Sequence, residues 1–305
     1  MPDSGSSIVV GDFEITHIQA GIYWWDGGAI FGVVPKTLWS RKASADELNR
    51  IPLAFNCYLI RTGEYTILVE TGAGDKMDAR ARERMKLPPE AEQMADVVAR
   101  HGIDPESIDI VINSHLHWDH CGGNTVLGGD GVARPAFPRA QYFTPRGEWQ
   151  HAHERLARDG VSYIDANYDP LVESGRMTLI EGDHDVVPGM RMCRAPGHNR
   201  DMMVVVAESR GQSFCFLSDL VPSAAHLQPT WVAAFDLFPL ECIEQKIVWQ
   251  SRAVAGNWVC GFAHDVENPF AHIVAHPKTQ FAADGESWKR LCSTGNRIPI
   301  AGSIP

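Results

Sequence analysis

The sequence His115-Leu116-His117-Trp118-Asp119-His120 places four potential metal ligands within six residues. It follows the apolar run 108–112, which indicates a buried strand. Because side chains alternate along an extended segment, we expect His115, His117 and Asp119 to lie on one side. His120 is then expected on the other side. Imidazole and carboxylate suit zinc, iron, nickel or manganese, so the run predicts a metal site and leaves the ion open. The alternative is a polar loop with chance histidines, which four ligand types directly after a strand disfavour.

Three further candidate ligands each follow a strand-like run. They are His198 after 190–194, Asp219 after 214–218 and His264 after 258–263. A ligand at the end of a strand is held by a rigid element and still faces a cleft. A single His or Asp in such a place is more often a turn residue. The prediction therefore depends on finding a ligand-type residue after a strand-like run three times in the chain.

The order of these residues resembles the pattern of the metallo-β-lactamase superfamily: His-x-His-x-Asp-His, then a distant His, an Asp and a final His. The resemblance covers nearly the whole chain. It implies an α/β (α+β) fold, a four-layer αββα sandwich, with a site for two divalent metal ions at one edge of the two sheets. Zinc is the favoured ion, with iron, cobalt or manganese as alternatives. By position, the first metal would be held by His115, His117 and His198, the second by Asp119, His120 and His264, and Asp219 would bridge them.

Two other segments narrow the resemblance. Residues 26–39 and 218–239 are similar to segments of the branch that contains quorum-quenching N-acyl-homoserine lactonases and methyl parathion hydrolase. We therefore expect a hydrolase that opens lactone rings, with N-acyl-homoserine lactones favoured. The alternative with the same site is an organophosphate triesterase or an aryl or alkyl esterase, and promiscuity towards phosphotriesters is expected. A mononuclear iron dioxygenase for persulfides shares the fold, but His120, Asp219 and His264 together argue against a one-metal site.

Asp119 and Asp219 are the predicted catalytic residues. Two cations about 3.5–4 Å apart lower the pKa of a shared water towards neutrality, and the resulting bridging hydroxide attacks the carbonyl. Asp119 would orient this hydroxide or carry a proton to the leaving group. Glu70 stands where relatives usually have Asp, and we expect it to support the ligands by hydrogen bonding. Some lactonases carry a Tyr just after the bridging Asp; this chain has none, and His226 is a candidate for part of that role, with a plain structural histidine as the alternative.

Aromatic residues suggest where a substrate would bind. They are concentrated in a glycine-containing segment near the N-terminus and recur after Asp219. Trp25, Phe31 and Trp231 are candidate substrate contacts, with core packing as the alternative for part of the set. The glycines between 27 and 32 predict a loop, which could form the wall of an apolar cleft for an acyl chain or an aryl leaving group.

Composition predicts one domain over residues 1–305, a length that can bury a large core. The formal net charge of −11 opposes nucleic-acid binding, because a surface that follows a phosphate backbone needs clustered Lys and Arg. No apolar run approaches the roughly 18 residues of a membrane span. The first residues lack the basic start and apolar core of a signal peptide, and the seven cysteines are dispersed, which favours a reducing cytoplasm.

The expected partner is a small ester or lactone. Relatives are often dimers, so a homodimer is one alternative for the assembly.

Periodicity predicts the remaining elements. Strands are predicted over 8–20, 53–61, 65–70, 177–181, 191–195, 202–207 and 213–218, and helices over 88–100, 146–158 and 240–255. In the last helix we expect a buried face made of Cys242, Ile243, Ile247 and Val248.

Overall fold

Most of the strands and helices predicted from apolar periodicity are present in the structure. The computed structural model describes residues 6–154 and 156–284. The strands are β1 Ser7–Val10, β2 Phe13–Asp26, β3 Arg50–Arg61, β4 Thr66–Val69, β5 Ile110–Ile112, β6 Thr125–Leu127, β7 Ala133–Pro135, β8 Gln141–Pro145, β9 Met177–Ile180, β10 His184–Val187, β11 Met190–Arg194, β12 Met203–Ser209, β13 Gln212–Phe216, β14 Val259–Gly261, β15 Phe270–His276 and β16 Gln280–Asp284. The helices are α1 Gly27–Phe31, α2 Lys36–Trp39, α3 Ala79–Arg84, α4 Met94–Arg100, α5 Trp118–Cys121, α6 Arg146–Glu154, α7 Asp169–Glu173 and α8 Pro239–Ala255.

The strands form two large sheets and one small ribbon. The first seven-stranded sheet has the order β1-β2-β3-β4-β5-β8-β9, and the second has the order β10-β11-β12-β13-β14-β15-β16. Strands β6 and β7 pair by themselves. The predicted mixed α/β fold with two sheets and helices is therefore confirmed.

The chain divides into two compact units. The first unit is built mainly from residues 15–23 and 55–182, and the second from 7–14, 24–54 and 183–284. Each unit has its own buried apolar cluster. In the first, α4 contributes Met94, Val97 and Val98 to the cluster, as their helical spacing predicts. The expectation of a single domain remains a prediction.

Parallel pairing in the first unit brings several strand ends to one edge. Strands β4, β5 and β8 are parallel, with Val69 opposite Ile112 and Ile112 opposite Phe143. The carboxyl ends of these strands therefore lie side by side, and the residues that follow them, including Glu70 and the run from Asn113, begin at the same edge.

The second sheet repeats this arrangement. Strand β13 is parallel to β14, with Phe216 opposite Gly261. The end of β11 pairs with the beginning of β12, so Arg194 lies opposite Met203. Because β12 is the neighbour of β13, the segments that carry His198, Asp219 and His264 all leave the sheet at one edge.

Three predicted elements need correction. The glycine-containing segment after Asp26 is not a loop but helix α1, because the Asp26 carboxylate accepts a hydrogen bond from Ala29 N at 3.0 Å and caps it. The helix predicted from residue 88 begins only at Met94, since Arg82 donates to the carbonyls of Pro88 and Glu90 and holds that segment in a non-helical conformation.

In α8, the buried face was predicted wrongly in part. Val248 is exposed, whereas Lys246 and Trp249 are buried together with the correctly predicted Cys242. No helix in the described ranges is long and apolar enough to cross a membrane. The six cysteines within those ranges are buried thiols, and Cys292 lies outside them.

Candidate metal-binding site

Four of the predicted ligands lie together in the first unit. The ring centroid of His115 is 4.6 Å from that of His117 and 4.0 Å from that of His120. All three histidines are buried, and Asp119 is half-buried with a carboxylate oxygen within 4.8 Å of a His120 ring nitrogen. We call His115, His117, Asp119 and His120 the first ligand set.

The local backbone differs from the predicted alternation. The chain is extended at His117, with φ −64° and ψ 149°, and enters helix α5 at Trp118. Asp119 and His120 therefore take their directions from a helical turn and not from a strand. The prediction that side chains alternate through the whole run is wrong beyond His117 for this reason.

Glu70 supports the first ligand set from the end of β4. Its carboxylate is buried and accepts hydrogen bonds from Ser114 N at 3.0 Å and from Asn113 Nδ2 at 3.4 Å. Its Oε1 atom lies 3.6 Å from Nδ1 of His120. The parallel register of β4 and β5 explains why this residue meets the segment after β5.

The backbone of His120 is fixed by the segment that follows Glu70. The carbonyl of His120 accepts hydrogen bonds from Thr71 N at 2.8 Å and Thr71 Oγ1 at 3.2 Å. The chain then turns at Gly74, whose φ is +62°, and a Cβ atom there would collide with the carbonyl of Gly122. Glycine is thus required where these two segments cross.

Glu148 and Tyr163 form a second support that sequence reasoning missed. The buried Glu148 carboxylate accepts hydrogen bonds from Leu116 N and from the Tyr163 hydroxyl, each at 3.3 Å. The Tyr163 ring packs edge-on against His117 with centroids 4.9 Å apart. Burial raises the pKa of Tyr163, so its hydroxyl stays protonated and donates.

The other three predicted ligands lie together in the second unit. Asp219 Oδ2 is 3.4 Å from Nε2 of His198, and Asp219 Oδ1 is 3.1 Å from Nε2 of His264. Both histidines are buried. The carboxylate of Asp219 thus lies between two imidazoles, with one oxygen towards each. We call His198, Asp219 and His264 the second ligand set.

Hydrogen bonds to Nδ1 orient both histidines of the second set. His264 Nδ1 lies 2.9 Å from the carbonyl oxygen of Ala54, and His198 Nδ1 lies 2.8 Å from Oδ1 of Asp236. A carbonyl only accepts, so Nδ1 of His264 carries the hydrogen. In the neutral ring this leaves the lone pair on Nε2, the atom that lies near Asp219.

Asp236 is a supporting residue that the sequence analysis did not identify. It is buried, and its Oδ2 atom accepts hydrogen bonds from Ala233 N at 3.2 Å and from Cys242 Sγ at 3.4 Å. It lies within the segment 218–239 that carried the resemblance, but nothing in its spacing marked it as the partner of His198.

The donor chemistry of each set fits a divalent metal. The first set offers three imidazoles and a carboxylate, and the second offers two imidazoles and a carboxylate. Nitrogen and carboxylate oxygen in this proportion suit zinc, iron, cobalt or manganese. Buried supports such as Glu70 and Asp236 fix ligands in orientation, as metal sites require.

Three of the predicted substrate contacts pack together in the second unit. Phe31 stacks on His226 with centroids 4.8 Å apart and rings 4° from parallel, and Trp231 meets Phe31 edge-on at 5.7 Å. These three residues, with His264 and Leu53, line a cavity of about 560 Å³. Trp25 is not among the residues that line this cavity, and its ring packs against Phe235 with centroids 6.2 Å apart.

His226 is tied into the protein through both ring nitrogens. Nδ1 lies 2.8 Å from Ser223 Oγ, and Nε2 lies 3.1 Å from the carbonyl oxygen of Ile30. Burial lowers the pKa of His226 to about 3, so the ring is neutral. Nε2–H therefore donates to Ile30 and Nδ1 accepts from Ser223. This geometry favours the structural alternative for His226, whose contact with substrate stays a prediction.

The chain is similar in sequence to proteins of known family. The sequence profile of the metallo-beta-lactamase superfamily matches residues 51–268, which is more than half of the chain. An N-acyl homoserine lactonase from Bacillus cereus is 28% identical over 179 residues, which cover 56% of this chain and 64% of that enzyme. The chain thus matches less than two thirds of the length of this relative.

Solved structures agree with the fold. A probable metal-dependent hydrolase from Staphylococcus aureus is 28% identical, with a TM-score of 0.81 over 91% of this chain and 97% of the other. The dizinc quorum-quenching lactonase AidC, solved with a product, is 17% identical, with a TM-score of 0.74 over 92% of this chain and 96% of the other. At that identity the likeness to AidC concerns the fold alone.

Proposed function

This chain belongs to the metallo-β-lactamase superfamily, and from that premise we propose that it is a hydrolase that opens the lactone ring of N-acyl-homoserine lactones. The observation that carries the proposal is the second ligand set, in which one carboxylate lies between two imidazoles. The similarity to the Bacillus cereus lactonase supports the choice of a lactone.

We further propose that the two ligand sets hold the same two divalent ions. His115, His117 and His198 would hold one ion, Asp119, His120 and His264 would hold the other, and Asp219 would bridge them. The support is the family pattern, together with the fit of each set to such ions. Zinc is the ion we favour, because imidazole nitrogen and carboxylate oxygen are its usual ligands in catalytic sites.

The reaction adds water across the ester bond and releases a hydroxy acid. When bound, the two ions would supply a water made acidic enough to attack at neutral pH and would polarise the ester carbonyl. The Asp119 carboxylate would take a proton from the attacking water and return it to the ring oxygen as that bond breaks. The hydrogen bonds at Nδ1 of His198 and His264 keep both rings in position while charge develops.

The cavity of the second unit is the proposed place for the acyl chain. Phe31, Leu53 and Trp231 contribute apolar side chains to its lining, which also includes the charged Arg41, Lys42, Asp265 and Glu267. Its volume of about 560 Å³ lies within the usual range for small-molecule sites. His264 also lines it, so a chain seated there would reach a proposed metal ligand.

The test is hydrolysis of a medium-chain N-acyl-homoserine lactone by the zinc-loaded protein, followed by acid release and product mass. We expect ring opening with kcat/KM above about 10⁴ M⁻¹s⁻¹, which is ordinary for an evolved enzyme. Absence of turnover with two zinc ions bound would reject the lactone. Phosphotriesters and aryl esters would then be assayed with the same preparation, and oxygen uptake with one bound iron would favour the dioxygenase instead.

We propose a cytoplasmic protein, which the buried thiols of the described ranges support, because a reducing compartment preserves them. A homodimer stays one alternative for the assembly, by analogy with relatives.

A further inference from the structure

We infer that Tyr23 is a positioning residue for Asp119, a role that rests on the proposed function. The Tyr23 hydroxyl donates a hydrogen bond to Oδ2 of Asp119 across 3.2 Å. Both residues belong to the first unit, and Asp119 is the one acidic member of the first ligand set.

Two aromatic rings hold the side chain of Tyr23 in place. Tyr23 lies near the end of β2 and is 4% exposed. Its ring stacks on Phe55 with centroids 4.5 Å apart and planes 6° from parallel, and it meets Trp118 edge-on at 5.6 Å. Phe55 also meets Trp118 edge-on, at 5.9 Å. A tyrosine has only two side-chain torsions, so this packing leaves its hydroxyl little freedom.

The hydrogen bond distinguishes the two oxygens of Asp119. A carboxylate on a half-exposed helical turn can rotate about its last torsion, and so can present either oxygen or both. The Tyr23 hydroxyl, a fixed donor at Oδ2, restricts that rotation. Oδ1 is then the oxygen that does not contact Tyr23. Tyr23 would thereby leave Oδ1 as the one oxygen through which Asp119 holds a metal ion, while Oδ2 stays hydrogen-bonded to the tyrosine hydroxyl.

Packing alone does not account for a tyrosine at this position. Phenylalanine would stack on Phe55 and meet Trp118 equally well, since both contacts involve only the ring. The hydroxyl adds one interaction with Asp119 that the ring does not need. The substitution Tyr23→Phe therefore removes the proposed role and keeps the packing.

The control is a tyrosine–aspartate pair elsewhere in the same unit. Tyr168 is fully buried, and its hydroxyl donates to Oδ1 of Asp165 at 2.9 Å. Tyr168→Phe deletes a hydrogen bond of the same type that involves none of the predicted ligands. Comparing the two variants separates the loss of a buried hydroxyl from the loss of the contact with Asp119.

The experiment compares wild type, Tyr23→Phe and Tyr168→Phe in zinc-loaded and cobalt-substituted forms. We expect Tyr23→Phe to lower kcat about 10- to 100-fold with little change in KM, and to shift the visible absorption bands of cobalt. Tyr168→Phe is expected to match wild type in both. The inference is overturned if Tyr23→Phe has the kcat and cobalt spectrum of wild type, or if both variants lose activity equally along with thermal stability.

The spectrum also keeps the two proposals distinguishable. If wild type binds cobalt but opens no lactone, the lactonase proposal fails by itself. A shift in the cobalt bands of Tyr23→Phe, absent from Tyr168→Phe, would still support the positioning role, and an unchanged spectrum would reject it.

Discussion

The Oδ1 atom of Asp236 lies 2.8 Å from Nδ1 of His198, and both residues are buried. The carboxylate thereby fixes which nitrogen of His198 carries the hydrogen and turns Nε2 towards Asp219. Asp236 is itself held by Ala233 N and Cys242 Sγ, so the ring of His198 is oriented by a residue that has little freedom. This pairing is the arrangement found behind metal-binding histidines in general.

Replacing Asp236 should therefore weaken metal binding without removing a ligand. We expect Asp236→Asn to lower zinc affinity about 10- to 100-fold, because the amide orients the ring less strongly and carries no charge. Competition with a chromophoric chelator measures the affinity.

Asp159→Asn is the matched control, since Asp159 pairs with His151 at 2.6 Å and neither residue is a predicted ligand. Equal zinc affinity in the Asp236→Asn variant and in wild type would show that His198 does not depend on this carboxylate.

Glu70 should be needed for stability as well as for metal binding. Its two oxygens accept hydrogen bonds from Ser114 N and Asn113 Nδ2, and all of these groups are buried. In Glu70→Gln, whichever way the amide turns, its NH₂ group faces another donor. We expect the free energy of unfolding to fall by about 2 kcal/mol, the cost of an unsatisfied buried group. Denaturant titration of the metal-free protein measures it, and a change below about 0.5 kcal/mol would contradict this role.

His226 should make the protein less stable in acid. Burial holds its folded-state pKa at about 3, while an unfolded histidine titrates near 6.5. Between these values the unfolded chain binds more protons, so the stabilising contribution is complete above about pH 6.5 and is lost as the pH falls towards 3. Going from about pH 7.5 to 5.5, this one group should cost about 1.4 kcal/mol.

The comparison is between wild type and His226→Gln, both without metal so that metal release adds nothing. The variant should be less stable at pH 7.5, because it loses the stacking on Phe31, but its stability should fall less steeply with acid. Parallel pH dependence in the two proteins would mean that His226 gains a proton in the folded state as easily as in the unfolded state.

The grouping of the predicted ligands into two sets could be inferred from sequence, because the run 115–120, His198, Asp219 and His264 each come after a strand. Periodicity locates the ends of β5, β13 and β14, and parallel pairing places such ends at one edge of a sheet. The residues that hydrogen-bond to the predicted ligands or to their backbone could not be predicted. Asp236 is 38 residues from His198, and Glu148 is 32 residues from Leu116. Those contacts depend on how separate elements pack together, and local sequence patterns do not predict that packing.

The same limit explains the error in α8. Apolar spacing favoured Val248 as a buried residue, yet the helix buries Lys246, whose Nζ atom donates to the carbonyls of Gln228 and Trp231. Two backbone acceptors from a distant segment make a buried lysine tolerable. Burial nevertheless lowers its pKa to about 8. A charged residue on the buried face of a helix can be identified only when its hydrogen-bond partners in other segments are known.

Asp219→Ala tests the proposed bridge most directly. Asp219 approaches His198 through one oxygen and His264 through the other, so alanine would remove a shared ligand from both proposed ions. We expect metal content to fall from two ions per chain to one or fewer, measured by elemental analysis after dialysis. Substituting a residue that only hydrogen-bonds to a ligand lowers activity by up to roughly 100-fold. Loss of a direct ligand should reduce kcat by more than that. If the variant kept two ions and its activity, Asp219 would not bridge them, and the dinuclear arrangement proposed for this chain would be wrong.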